Sequence, residues 1–156
     1  MHGHDDVESF STFTYPRLFS RRILILDDSL ADRKLMAAIL RKVGAVPIGY
    51  GSVPEAKEAL VGFTARVKPD VILCDLMMPK EHGGHFIQWL HRMKGLPDIP
   101  VIVVSGDSRK ETIRAVAELG VKGYLLKPID AQGLCSRIDA ALLEAQSPSA
   151  GGAEGK

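Results

Sequence analysis

The sequence predicts an α/β protein in which a parallel sheet is covered by helices on both faces. Three observations carry this. Short, wholly apolar runs recur at Ile23-Leu24-Ile25-Leu26, Val71-Ile72-Leu73-Cys74 and Val101-Ile102-Val103-Val104, the pattern of strands buried on both faces. The stretches between them place their apolar residues on one helical stripe. Strand and helix thus alternate about five times, and such alternation is built from right-handed crossovers that leave every strand parallel.

Each element has its own signals. Ile23 to Leu26 runs into Asp27-Asp28, and Ser29 is placed to cap a helix whose apolar face is Leu35, Met36, Ile39, Leu40 and Val43, stopped at Gly44. Val46 to Tyr50 is a second, weaker strand. Ser52-Val53-Pro54-Glu55 is a capping box that opens a helix carrying Ala56, Ala59, Leu60 and Phe63. The third strand, Val71 to Cys74, ends on Asp75 and is followed by Pro79. Gly83-Gly84 then frees the backbone ahead of a helix with Phe86, Ile87, Leu90 and Met93, closed by Gly95 and Pro97. Val101 to Val104 ends on Ser105-Gly106. Ser108-Arg109-Lys110-Glu111 reads as a second capping box, with Ile113, Val116 and Ala117 on the helix that ends at Gly120. Gly123 to Leu126 is the fifth strand, ending on Lys127-Pro128, and Asp130 caps a last helix with Leu134, Ile138, Ala141 and Leu142 on its inner side.

The 156 residues make one domain, divided into an N-terminal extension (1–20), a folded unit (21–145) and a flexible Ser/Gly/Pro/Ala tail (146–156). The extension has no periodicity, yet it holds Phe10, Phe13, Tyr15 and Phe19. It is either a disordered leader or an arm that packs on this domain or on a second copy. Apolar residues make up 46% and charged residues 25%, a globular mix. A net charge of +1 gives no global field to attract nucleic acid or an anionic membrane. No run approaches the ~20 apolar residues of a membrane span, and no signal peptide opens the chain. Cys74 and Cys135 have neither metal-ligand spacing nor the look of a disulfide pair, which favours a reduced, cytoplasmic setting.

Four of the five strands end on residues capable of chemistry: Asp27 and Asp28, Asp75, Ser105 and Lys127. In a parallel sheet these ends share one edge, where open α/β folds bind their ligands. Two unit charges about 4 Å apart interact by about 4 kcal/mol at an effective dielectric of 20, so three clustered carboxylates repel, raise one another's pKa or recruit a cation. Oxygen ligands at a solvent-facing rim suit Mg²⁺. With Lys127 as a second positive charge and Ser105 as a hydroxyl donor, the set is suited to stabilising phosphoryl transfer, with Asp75 as nucleophile.

Asp27-Asp28-Ser29, Asp75-Leu76-Met77-Met78-Pro79, Gly83, Ser105-Gly106 and Lys127-Pro128 resemble, in order and spacing, the receiver domain of two-component response regulators. The resemblance covers roughly Arg21 to Ala145. It implies a three-layer flavodoxin-like (βα)5 fold with a five-stranded parallel sheet of order 2-1-3-4-5. It implies a phosphoacceptor role for Asp75, served by a histidine kinase or a histidine phosphotransfer protein. It also implies Mg²⁺ held by Asp28, Asp75 and the Met77 carbonyl, with Asp27 acting through a water. Lys127 would pair with the phosphoryl group, Ser105 would hydrogen-bond it and shift on activation, Tyr124 would swing inward behind Ser105, and Lys127-Pro128 would be cis. The loop Lys80-Glu81-His82-Gly83 lacks the family's frequent Met-Asp before the glycine. Met77 and Asp107 stand at variable positions that affect dephosphorylation.

The expectation is a stand-alone receiver that switches protein–protein interactions, as a monomer or homodimer, and that catalyses only its own phosphorylation and dephosphorylation. A phosphorelay intermediate shares every motif. An aspartyl-phosphate phosphatase needs an acid two residues after the nucleophile, where this chain has Met77; a scaffold with an unused pocket would not need the full set. His82 and His85 lack further ligands for a metal site and are expected to be exposed loop histidines, as Trp89 is expected to lie partly exposed on its helix.

Overall fold

A computed structural model describes residues 14–61 and 67–147. Its strands are β1 (Arg22–Leu26), β2 (Val46–Tyr50), β3 (Val71–Cys74), β4 (Val101–Ser105) and β5 (Gly123–Leu126). Its helices are α1 (Leu30–Lys42), α2 (Val53–Val61), α3 (Gly83–Arg92), α4 (Lys110–Ala117) and α5 (Ala131–Gln146). The strands form one sheet, parallel as the alternation predicts and in the order β2-β1-β3-β4-β5 that the resemblance implies.

The apolar runs account for the layers. Side chains of a strand alternate between faces, and both faces of β1, β3 and β4 are buried. Ile23, Ile25, Val71, Leu73, Ile102 and Val104 pack on one side against Met36, Ile39 and Leu40 of α1 and Leu134, Cys135 and Ile138 of α5. Leu24, Leu26, Ile72, Cys74, Val101 and Val103 pack on the other side against α2, α3 and α4 through Ala56, Leu60, Phe86, Ile87 and Val116. The two free thiols therefore sit in opposite layers. Among the described residues, no helix is long and apolar enough to cross a membrane.

Helix ends follow the sequence signals in most places. Ser29 Oγ accepts from the Asp32 amide at 3.2 Å and Asp130 from the Gly133 amide at 2.8 Å, each satisfying an amide that the helix itself leaves unpaired. Gly44, Gly95 and Gly120 take positive φ at helix stops, the conformation that side chains with a Cβ resist.

Three features differ from the sequence reading. Leu35 is exposed, because the inner face of α1 is narrow enough to be filled by Met36, Ile39 and Leu40. Ser108 does not cap α4: Arg109 holds that position without a side-chain hydrogen bond, and Asp107 accepts the Arg109 amide instead. On α4 only Val116 is buried, and Ala117 faces solvent. Phe63 lies outside the described residues, as do Phe10 and Phe13.

Packing begins ahead of Arg21. Pro16–Leu18 form a short 3-10 turn against α5, and Leu18 is fully buried in the α1/α5 layer. Arg17 Nη1 donates to Asp139 of α5 at 3.3 Å. This end of the extension is an arm on its own domain, with Phe19 exposed just beyond it. A Leu18→Ala substitution is expected to destabilise the fold by about 2–5 kcal/mol, read as a fall in denaturant midpoint with an unchanged slope.

Candidate functional site

Strand register brings the site together. Leu26 pairs with Cys74, so the residues that follow, Asp27 and Asp75, emerge side by side, and the Asp75 amide donates to the Leu26 carbonyl at 2.9 Å. On the other flank Ser105 pairs with Leu126, and the Lys127 amide donates to the Ser105 carbonyl at 2.9 Å. Residues separated by about a hundred positions thus meet at one sheet edge because parallel strands end together.

Asp27 and Asp75 are buried, whereas Asp28 is exposed. Oxygens of the three carboxylates lie within 4.8 Å of one another. Lys127 is driven into this cluster: its Nζ donates to Asp27 at 2.8 Å and to Asp75 at 3.2 Å, and it lies 2.8 Å from Asp32 of α1. Burial alone would pull the Lys127 pKa down, but hydrogen bonds with Asp27 and Asp32 and the charges of Asp27 and Asp75 outweigh it, and the net shift is upward. Burial raises the Asp27 pKa, assisted by the charge of Asp75 and opposed by the bonds from Lys127 and the Ser29 amide. The three carboxylates are an all-oxygen donor set with one member open to water, and they fit a hard divalent cation such as Mg²⁺.

Loop geometry holds Asp75 in place. The Met77 amide donates to Asp75 Oδ1 at 3.2 Å, while the Met77 side chain points to solvent. Gly83, at the start of α3, passes so close to the Asp75 carbonyl oxygen that no Cβ fits between them. The glycine is required here by close approach rather than by backbone freedom. His82 Nδ1 accepts from the Gly84 amide at 3.0 Å, so this exposed histidine caps α3. Trp89 is half-buried, stacked on Phe86 with Lys57 Nζ 5.2 Å from its ring centre.

Ser105 and Tyr124 lie on the β4–β5 side and meet at the loop after β4. Ser105 is fully buried, and its Oγ accepts from the Asp107 amide at 3.3 Å. The Tyr124 hydroxyl donates to the Asp107 carbonyl at 2.6 Å; burial pushes its pKa up, against a hydrogen bond with Ser105. The Asp107 carboxylate takes a fork from Arg109, at 3.0 and 2.7 Å, and the Thr112 hydroxyl at 2.9 Å. The Arg109 hydrogen bonds hold its carboxyl well below the usual range. Lys127-Pro128 is cis.

Sequence reasoning did not find three of these contributors. Asp32 reads as an ordinary acid in a first helical turn, where it complements the helix dipole. Its fourth-residue spacing from Asp28 was the available signal. Arg33 donates to the Asp27 carbonyl at 2.6 Å and packs under Gly49 and Gly51, contacts that depend on tertiary placement. The fork of Arg109 on Asp107 spans two residues, a spacing that marks no regular element.

The sequence matches the response regulator receiver domain over residues 23–139. The chain belongs to the response regulator receiver family. This receiver is 32% identical over 112 residues to the Regulator of RpoS of Escherichia coli, covering 72% of the chain and 32% of that protein. It is 30% identical over 123 residues to the phosphate regulon transcriptional regulatory protein PhoB of Escherichia coli, covering 79% and 52% respectively. The chain thus spans about a third to a half of the length of these two relatives. Chemotaxis protein CheY-3 of Vibrio cholerae is 28% identical over 120 residues, with 76% and 88% covered. Among solved structures, a sensor protein from Polaromonas superposes with a TM-score of 0.71 at 28% identity, covering 80% of this chain and 97% of that one. A CheY-like receiver from Methanospirillum hungatei gives 0.71 at 23%, covering 80% and 95%.

Two expectations concern the loops of this receiver. Gly83→Ala forces the β3–α3 loop away from Asp75 and is expected to cost about 1–3 kcal/mol, measured by chemical denaturation. Because the Asp107 pKa is depressed in the folded state, its contribution is present above the unfolded value of about 3.9 and is lost as pH falls through the lower folded value. Thermal melts against pH are therefore expected to show Asp107→Asn less stable than the parent at neutral pH, the gap closing only below the ordinary carboxylate range.

Proposed function

We propose that this receiver accepts a phosphoryl group on Asp75 from a histidine kinase or histidine phosphotransfer protein and uses it to switch protein–protein interactions. The observation that carries this is the Asp75 carboxylate gathered with those of Asp27 and Asp28 and lying 3.2 Å from the Lys127 ammonium. An Asp75 oxygen attacks phosphorus, the P–N bond to the donor imidazole breaks as the P–O bond forms, and the imidazole nitrogen keeps the bonding pair and is protonated. Asp27, Asp28 and Asp75, with the Met77 carbonyl, are the groups that would hold Mg²⁺. When bound, Mg²⁺ supplies charge stabilisation to the transferring oxygens.

The remaining roles belong to the chain itself. Lys127 offers its ammonium to a phosphoryl oxygen, and Ser105 offers its hydroxyl. A move of Ser105 toward Asp75 would pull on the loop that Tyr124 and Asp107 share with it, which transmits the new charge to the surface of α4 and β5. Exposed Met77 provides no acid or base two residues beyond the nucleophile, which favours retaining the phosphoryl group over turning over metabolites. CheY-3 is named as a chemotaxis protein and PhoB as a transcriptional regulator; this chain's own target is set by its exposed faces.

Incubation with acetyl phosphate and Mg²⁺ is expected to add one phosphoryl group at Asp75, seen by intact mass and by hydroxylamine-sensitive peptide mapping. Asp75→Asn should abolish the adduct and omission of Mg²⁺ should suppress it. Undiminished labelling of Asp75→Asn would overturn the assignment. Mg²⁺ at a hundred times its dissociation constant should also stabilise the fold by about 2.7 kcal/mol.

A further inference from the structure

Lys127 carries three ammonium protons and no acceptor, and three carboxylates already surround them. Asp27 and Asp32 lie 2.8 Å from Nζ and Asp75 lies 3.2 Å away. The ammonium is thus held by two hydrogen bonds, to Asp27 and Asp75, and by an ion pair with Asp32. A phosphoryl oxygen on Asp75 must compete with these partners for Lys127. Phosphorylation turns the Asp75 carboxylate into a mixed anhydride, so its hold on Nζ passes to the phosphoryl oxygens. Of the two carboxylates that remain, Asp27 is 1% exposed and cannot be rehydrated readily, whereas Asp32 is 32% exposed on the first turn of α1. Asp32 also stays favourably placed when released, because a carboxylate in the first turn complements the helix dipole, and the Ser29 cap that fixes this turn uses the Asp32 amide, not its side chain.

We infer that Asp32 is a positioning residue that holds Lys127 in the unphosphorylated state and releases it when a phosphoryl group forms on Asp75. The inference rests on the phosphoacceptor reading above. Asp32 touches neither the acceptor oxygen nor the transferred group; it acts through Lys127. It sets how strongly the lysine is drawn toward α1 and so tunes the population of the activated state without entering the chemistry. A charge that competes for Lys127 must weaken the lysine's bond to the new phosphoryl group, and removing that charge must strengthen it.

The test is titration of the full chain with beryllofluoride in saturating Mg²⁺, followed by calorimetry and ¹⁹F NMR. Removing one partly exposed ion pair is worth a small factor, so Asp32→Asn is expected to bind beryllofluoride about two- to fivefold more tightly than the parent. Asp32→Glu, which keeps the charge, should stay near the parent value, and Asp32→Ala should move in the same direction as Asp32→Asn. A purely structural role, through the helix dipole, would instead lower the melting temperature and leave binding unchanged or weaker, and that result overturns the inference. In a Lys127→Ala background the gain from Asp32→Asn should vanish; a gain of the same size there would mean that Asp32 acts through space and not by holding Lys127. Failure of the parent to bind beryllofluoride would overturn the phosphoacceptor reading itself, whereas binding by the parent with no gain in Asp32→Asn or Asp32→Ala overturns the Asp32 role alone.

Discussion

The edge of the sheet is organised by one cation among acids. Asp27, Asp28 and Asp75 are drawn together by parallel strand register, and without compensation their mutual repulsion would oppose the fold that assembles them. Lys127 supplies that compensation from the far side of the sheet, bonding two of the three and reaching Asp32 besides. Its placement depends on β5 lying beside β4 and on the Ser105 carbonyl accepting the Lys127 amide. The site and the fold are in this sense mutually dependent: the topology creates the charge problem, and the last strand answers it.

The two flanks of the pocket are held by different sets of bonds. On the β1 side Arg33 donates to the Asp27 carbonyl at 2.6 Å and the Ser29 amide to the Asp27 carboxylate at 2.9 Å. On the β4 side the links pass through a loop at the surface, where Asp107 joins Tyr124, Thr112 and the exposed guanidinium of Arg109. The Arg109 bonds lie exposed, and bonds open to solvent can give way at lower cost.

Much of this was legible in the chain. Apolar runs too short for helices exposed the buried strands, and because their shared direction follows from the alternation, the convergence of Asp27, Asp28, Asp75, Ser105 and Lys127 could be anticipated. Caps at Ser29 and Asp130 were readable because they satisfy local amides. What escaped was decided by tertiary approach. Asp32 looks like a helix-dipole acid until Lys127 arrives from β5. Gly83 looks like a hinge until the Asp75 carbonyl is seen against it. Ser108 has a capping sequence, but the Asp107 fork takes over the start of α4. Leu18 lies in a stretch without periodicity, and a single buried side chain leaves no pattern to read.

The placement of the two thiols makes each layer separately observable. Cys74 adjoins Asp75 and is packed on the α2/α3/α4 side, whereas Cys135 is packed on the α1/α5 side. Burial keeps both thiols protonated, Cys135 pushed up to about 11 and Cys74 further still, and a protonated, shielded sulfur does not react. Modification by a thiol reagent must therefore wait for the layer around that cysteine to open. The unmodified chain carries its own pair of clocks, one timing the exposure of the α2/α3/α4 side and one the exposure of the opposite side, with no label to introduce and no residue to change.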